Sequence, residues 1–140
     1  MRNVLLATDA DWVVSEVASA IGGPDIRVST VSNGKHVMPA VRDGDYNLVI
    51  ADLQVGNMGG MAITMALHNE ETGGRLAHVP MLMLLDRAAD LHLARRSGAD
   101  GWLIKPLDSI RLQAAVQKLL AGGSWQEGIE TTVTPDAVPS

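Results

Sequence analysis

Short apolar runs alternate with segments of helical periodicity, and this alternation restricts the fold of the chain more than any other feature. The runs of strand type are residues 4–7, 26–31, 48–51, 80–85 and 102–104. The segments with apolar residues at helical spacing are residues 11–21, 35–41, 61–69, 88–97 and 109–120. The first, third and fourth runs are nearly all apolar, as is typical of strands buried on both faces. The pattern predicts a doubly wound α/β fold with five parallel strands and helices on both faces.

Length and composition limit the classes of protein to which the chain can belong. Its 140 residues predict one folded domain, placed at residues 1–121, and a flexible tail at residues 122–140 that is too short for an output domain. The net charge of -5 argues against direct binding of nucleic acid through bulk electrostatics. The absence of Cys excludes thiol catalysis and thiolate zinc sites. No apolar stretch approaches the roughly 20 residues that a bilayer requires. We therefore expect a cytoplasmic protein without membrane insertion.

Polar residues follow the predicted strands at their C-terminal ends, where open α/β sheets place their sites. Thr8 and Asp9 follow the first strand, Asp52 the third, Asp86 the fourth and Lys105 the fifth. Mg²⁺ is bound through oxygen, commonly with only one or two protein carboxylates, and Asp9 and Asp52 meet that need. A carboxylate can also attack phosphorus when cations neutralise the phosphoryl oxygens, and Lys105 would be such a cation.

Together these residues resemble the receiver domain of two-component response regulators over about residues 3–120. The resemblance rests on Asp52 at the end of an apolar strand, on the loop at residues 58–60, and above all on the segment 98–106, which contains Lys105. It implies a flavodoxin-like fold with strand order 2-1-3-4-5 and a phosphoacceptor role for Asp52. It also implies Mg²⁺ held by Asp9, Asp52 and the backbone carbonyl of Gln54, a cis Lys105–Pro106 peptide bond, and an aromatic switch residue at Trp102.

The same resemblance implies partners and a mode of action. The phosphoryl group would come from a histidine kinase or a phosphotransfer protein and form an aspartyl phosphate on Asp52. A downstream protein would bind the surface built from the fourth helix, the fifth strand and the fifth helix, and a homodimer is left open. We therefore expect a single-domain response regulator that acts in a phosphorelay through protein contacts and is not an enzyme.

Several positions depart from the pattern of the receiver family. Thr8 stands where most members have a second acid, which implies weaker binding of Mg²⁺. Leu85 stands in place of the Thr or Ser whose hydroxyl reports on the phosphoryl group, and leucine has no side-chain donor. Asp86 replaces a small residue and would repel a phosphorylated Asp52 or occupy Lys105 instead. Gly56 replaces a frequent proline. These changes predict an atypical receiver whose phosphorylation is poorly coupled to its output.

Other interpretations of the same residues stay open at this point. Asp9 and Asp86 could be N-caps of the helices that follow them, and Trp102 could be a packing residue only. The chain could be a pseudo-receiver that binds partners without being phosphorylated. It also resembles haloacid-dehalogenase-like phosphatases at Asp9 and Asp11, but Asp52 and the segment 98–106 would then have no role.

Overall fold

Six parallel strands form a single sheet in the computed structural model, which describes residues 2–56 and 58–127. The strands are β1 (Arg2–Ala7), β2 (Ile26–Val31), β3 (Leu48–Asp52), β4 (Met81–Leu85), β5 (Gly101–Ile104) and β6 (Trp125–Gln126). The helices are α1 (Asp11–Ile21), α2 (Val37–Asp43), α3 (Gly60–Thr72), α4 (Leu91–Ser97) and α5 (Ser109–Leu120). Short 3-10 turns, Gly34–His36 and Ala88–Asp90, precede α2 and α4.

The strand order is β2-β1-β3-β4-β5-β6, and each neighbouring pair is parallel. This arrangement confirms the predicted α/β class and the order 2-1-3-4-5, to which the sixth strand is added at the edge. The register sets Ala7 level with Ala51, Ala51 with Met83, and Leu85 with Ile104. The strands β1, β3, β4 and β5 therefore end along one edge of the sheet, and the residues that follow them come together there.

Alternate residues of the central strands pack on opposite faces of the sheet, as the pleat requires. Leu48 and Ile50 pack with residues of α1 and α5, whereas Val49 and Ala51 pack with residues of α2 and α3. A smaller cluster next to α4 consists of Met83, Leu85, Ala94 and Trp102. Every residue of β3 and β4 is buried. Because a fully buried large aliphatic side chain stabilises a fold by about 1.5–3 kcal/mol, this packing holds the strand ends in place.

The sixth strand was not predicted, and it corrects the expectation that fixed structure ends near residue 121. Trp125 pairs with Gly101, and Gln126 pairs with Trp102, so the chain adds a short strand to the edge of β5. A strand of two residues is too short to produce a periodic pattern, and contacts made by Glu127 hold it in place. The rest of the predicted tail, residues 128–140, lies outside the described residues.

Within residues 2–56 and 58–127, no helix combines the length and the apolar character that a membrane crossing requires.

Candidate functional site

Asp52 is the buried centre of the site at the C-terminal edge of the sheet. It closes β3, and only 2% of its surface is exposed. A carboxylate buried to this degree is costly unless it is paired and hydrogen-bonded. Thr8 Oγ1 donates to Asp52 Oδ2 over 3.0 Å, and Lys105 Nζ donates to Asp52 Oδ1 over 2.7 Å. Both oxygens of Asp52 therefore have a donor, and one of these donors carries a positive charge.

Lys105 connects two carboxylates across the edge of the sheet. It follows β5, and its backbone N–H donates to the carbonyl of Leu85 over 2.9 Å. Its Nζ donates to Asp86 Oδ1 over 2.8 Å as well as to Asp52. Burial on its own lowers the pKa of Lys105, but the hydrogen bonds to Asp52 and Asp86 outweigh burial and raise that pKa above its ordinary value. The Lys105–Pro106 peptide bond is cis, as predicted.

Trp12 also contacts this lysine. Lys105 Nζ lies 5.4 Å from the centroid of the Trp12 ring, within the range of a cation–π interaction. Trp12 belongs to the first turn of α1 and is half-exposed, so its indole covers one side of the site without closing it. Sequence reasoning missed this contact, although the place of Trp12 just after Asp9 and Asp11 was a signal that it lies near the strand ends.

Asp86 belongs to the site and does not cap the helix that follows it. The N-cap of the 3-10 turn before α4 is Arg87, and no side chain caps that turn. The side chain of Asp86 is 41% exposed, and its carboxylate bonds the same ammonium as Asp52. The site therefore contains a second acid that competes for the only amine bonded to Asp52 in the described parts of the chain.

Asp9 and Gln54 belong to the loops that follow β1 and β3. Asp9 is exposed, and the N-cap of α1 is Ala10, so Asp9 does not cap that helix. Asp9, Gln54 and Gly56 line one open hollow, and a Cβ atom added at Gly56 would stand 3.6 Å from Asp9 Oδ2. Asp11, the other acid of the phosphatase alternative, is an exposed residue at the start of α1.

The metal ligands predicted for this site are all oxygen atoms. The ligands predicted from the sequence are the carboxylates of Asp9 and Asp52 and the backbone carbonyl of Gln54, a set that suits Mg²⁺ when waters complete its coordination. Over residues 2–56 and 58–127, no three His, Cys, Asp or Glu side chains are grouped as a metal site. Mg²⁺ does not need three such side chains, so the residues present fit this ion with few protein ligands. One oxygen of Asp52 already accepts a hydrogen bond from Thr8.

Leu85 and Trp102, the other two predicted switch positions, face the α4 side of the sheet. Leu85 is fully buried and packs in one cluster with Met83, Ala94 and Trp102. Trp102 is also buried, and its Nε1–H donates to the backbone carbonyl of Glu127 over 2.9 Å. The bond to Glu127 was missed because nothing in the sequence relates these two residues. The structure therefore places Asp52, Lys105 and Asp86 together and leaves Leu85 and Trp102 in the adjacent core.

This fold and this arrangement of acid and lysine define the class of the protein. The chain belongs to the response regulator receiver domain family, whose model matches residues 4–117. The family acts in two-component signalling, where receiver domains interact with histidine kinases and downstream effectors and typically bind Mg²⁺ at an acidic site. The predicted family is thereby confirmed, and its match favours the receiver over the phosphatase alternative.

Individual relatives and solved structures agree with the family. The transcriptional regulatory protein TcrA of Mycobacterium tuberculosis is 29% identical over 122 residues, which cover 86% of this chain and 46% of TcrA. The chain spans about half the length of such curated relatives. The signal receiver domain of a histidine kinase from Syntrophus aciditrophicus superposes with a TM-score of 0.77 at 19% identity, covering 99% of both chains.

A further solved structure has the same fold. The receiver domain of the sensor histidine kinase PA1611 from Pseudomonas aeruginosa PAO1 has a TM-score of 0.70 at 22% identity, covering 86% of this chain and 98% of its own. That structure is described as having a magnesium ion coordinated in the active site cleft. At this level of identity the likeness shows the shared fold.

Proposed function

We propose that this chain is a receiver that accepts a phosphoryl group on Asp52 from a histidine kinase or a phosphotransfer protein. One observation carries the proposal: a carboxylate that is 2% exposed lies 2.7 Å from the ammonium of Lys105 at the edge of the sheet where β1, β3, β4 and β5 end. Family membership supports the same role.

The reaction transfers one phosphoryl group. One oxygen of Asp52 forms a bond to phosphorus as the bond between phosphorus and the donor's leaving group breaks, which gives an acyl phosphate. Lys105 exchanges one of its carboxylate partners for a phosphoryl oxygen and stabilises the charge there. Asp9, Asp52 and the Gln54 carbonyl would hold Mg²⁺, which would supply further positive charge for the transfer. Thr8 keeps its hydroxyl directed at the Asp52 carboxylate and so orients it.

Two residues make this receiver atypical. Leu85 has no hydroxyl to bond a phosphoryl oxygen, and its side chain is fully buried in the α4 cluster. Asp86 places a second negative charge on Lys105, which a phosphorylated Asp52 would have to displace. The chain therefore accepts the phosphoryl group but reports it weakly to the α4, β5 and α5 face, where a protein partner binds. Its cytoplasmic location and its action without direct contact to nucleic acid are part of the same proposal.

Incubation with acetyl phosphate and Mg²⁺, followed by intact mass measurement, tests this function. We expect the mass of one added phosphoryl group on the wild type and none on Asp52→Asn. Chelation of the metal should abolish the adduct, because the charge beside the phosphoryl oxygens would no longer be neutralised. Asp25→Asn is a matched control, since Asp25 lies at the opposite end of the sheet, before β2. The absence of an adduct on the wild type would refute the proposal.

A second candidate function is favoured by the two carboxylates on Lys105. Asp86 accepts a hydrogen bond from Lys105, and both oxygens of Asp52 accept hydrogen bonds too. These charged groups therefore have hydrogen-bond partners without a phosphoryl group. A chain in this state would be a pseudo-receiver that binds its partner constitutively. It would give no mass adduct, and the same partner would bind wild type and Asp52→Asn equally.

A further inference from the structure

The segment at residues 124–127 covers the free edge of β5, and we name it the strap. Trp125 lies beside Gly101 in the added strand, and the Trp125 backbone N–H donates to the Asp100 carbonyl over 3.3 Å. An uncovered edge strand offers unpaired N–H and C=O groups to any extended segment. In this chain the strap pairs with the edge of β5, on the face where receiver partners are proposed to bind.

Glu127 anchors the strap through both its side chain and its backbone. Its carboxylate accepts hydrogen bonds from the Arg111 guanidinium, one of them from Nε over 2.7 Å, and from the backbone N–H of Ile104 over 3.0 Å. Its backbone carbonyl accepts from Trp102 Nε1. Burial on its own raises the pKa of Glu127, but Arg111 and Ile104 hold that pKa below its ordinary value. The carboxylate is therefore held as an anion in a forked, charge-assisted contact.

Arg111 connects the strap to the phosphoacceptor site. Its Nη1 donates to the Pro106 carbonyl and its Nη2 to the Ile104 carbonyl, each over 2.8 Å. These two carbonyls belong to the residues on either side of Lys105. The guanidinium that holds Glu127 therefore also holds the backbone that carries the lysine.

Gly101 makes the close approach of the strap feasible. A Cβ atom at this position would lie 2.9 Å from the backbone oxygen of Trp125 and 3.2 Å from its Cβ. A side chain at residue 101 would therefore push the strap off the edge. Because two paired residues are marginal as a strand on their own, the ion pair between Arg111 and Glu127 decides whether the strap stays in place.

We propose that the β5 edge and Arg111 form a docking site for an extended peptide that carries a large aromatic side chain and, two residues later, a carboxylate. The chain occupies this site with its own Trp125 and Glu127. Main-chain pairing supplies affinity in such complexes, and the side chains supply specificity. A partner protein with a segment of the same chemistry gains access by displacing the strap. That this displacement is the route to the output rests on the proposed function.

Hydrogen exchange and NMR of the full chain test whether the strap is seated. In Glu127→Gln the side chain that accepts from Arg111 and from the Ile104 N–H loses its negative charge. We therefore expect the Ile104 amide to exchange about tenfold faster or more. The indole N–H resonance of Trp102 should shift, and that of Trp12 should not. Glu16→Gln, an exposed change on α1, is the matched control. Unchanged exchange and an unchanged Trp102 resonance in Glu127→Gln would overturn the proposal.

A synthetic peptide of residues 121–127 tests the docking site itself. It should bind the full-length Glu127→Gln variant at least about tenfold more tightly than the wild type, whose own strap competes for the edge. The same peptide with Gln in place of Glu127 should bind neither. Equal binding to both proteins, or no binding to the variant, would overturn the proposal. A wild-type dimer that becomes monomeric in Glu127→Gln would overturn it too, since the strap would then dock on a second copy.

These outcomes are separate from those of the phosphorylation experiment. If Asp52 accepts no phosphoryl group, peptide binding to Glu127→Gln still tests the docking site. If the peptide does not bind, the mass adduct on Asp52 still tests the phosphoacceptor. Arg111→Lys is a second variant, because it keeps the charge and removes the planar fork. Its Ile104 amide should also exchange faster than in the wild type.

Discussion

At the scale of single residues, the sharing of Lys105 between two acids decides how the site behaves. Asp52 is buried and needs a cation, whereas Asp86 is partly exposed and can be solvated by water. Asp86 is therefore the partner that can leave. A phosphoryl group on Asp52 would compete with Asp86 for Lys105, and the outcome sets how far phosphorylation changes the site.

We predict that Asp86→Ala strengthens the response to phosphorylation. Loss of the hydrogen bond from Lys105 should lower the pKa of that lysine toward its ordinary value, and the lysine should become free to bind a phosphoryl oxygen. NMR titration of the lysine measures the first effect. Chemical shifts around Trp102 on addition of a phosphoryl mimic measure the second, and Leu85→Thr should enlarge them too by restoring a hydroxyl. Shifts that stay as in the wild type in both variants would count against the prediction.

Thr8 should be a stabilising residue through its bond to Asp52. Thr8→Val keeps the shape of the side chain and removes the donor, so we expect a loss of about 1.5–3 kcal/mol in the free energy of unfolding, as for a hydrogen bond to a charged group. Urea denaturation measures it, with Thr8→Ser as the control that keeps the hydroxyl. In an Asp52→Ala background the same change should cost much less. An equal cost in that background would show that Thr8 acts through something other than Asp52.

The proximity of Asp52 and Lys105 could be predicted from the sequence, because both stand at the C-terminal ends of apolar strands and these ends share one edge of the sheet. It could not assign Asp86, since an acid after a strand can equally cap a helix or bond a lysine. The choice depends on Lys105 Nζ coming within 2.8 Å of the Asp86 carboxylate. That distance follows from the register of β4 and β5 and not from local pattern.

At the scale of elements, the first turn of α5 has two roles: its Arg111 takes part in the N-terminal cap of the helix and also anchors the strap. Asp108 caps the helix by accepting from the Arg111 backbone N–H over 2.8 Å, while the Arg111 side chain turns back to Glu127. The amphipathic pattern of residues 109–120 predicted the helix well. The strap was missed because it depends on contacts across 16 positions between Arg111 and Glu127, in a segment without periodicity.

Gly101→Ala should displace β6 while the rest of the sheet stays folded. The added Cβ would lie 2.9 Å from a backbone atom of Trp125, which a side-chain rotation cannot relieve. We expect a shifted Trp102 indole resonance, because its bond to Glu127 is lost, with an unchanged circular dichroism spectrum. Gly23→Ala is the matched control, since its added Cβ would meet nothing within 4 Å. A Trp102 resonance unmoved by Gly101→Ala would show that β6 tolerates the extra carbon.

At the scale of the whole molecule, a second polar cluster lies at the edge of the sheet opposite the site. His78 Nδ1 lies 2.8 Å from Glu71 Oε1 near the end of α3, and His78 Nε2 lies 3.5 Å from Asp100 Oδ1 before β5. Asp100 also accepts from the Met81 backbone N–H over 2.9 Å. The alternation of strands and helices predicted the fold, but the link between α3, β4 and β5 through one imidazole arises only when they pack together.

This link should make the stability of the whole chain depend on pH. The hydrogen bond to Glu71 raises the pKa of His78 despite partial burial, so the folded chain holds its proton more tightly than the unfolded chain. The stability from His78 is fully present below the ordinary histidine pKa, about 6.5, and is lost as pH rises through the raised value. We expect the difference in unfolding free energy between wild type and His78→Gln to shrink from about pH 6 to about pH 8. A constant difference for His78→Gln would mean that the imidazole does not bind its carboxylate partners as an ion.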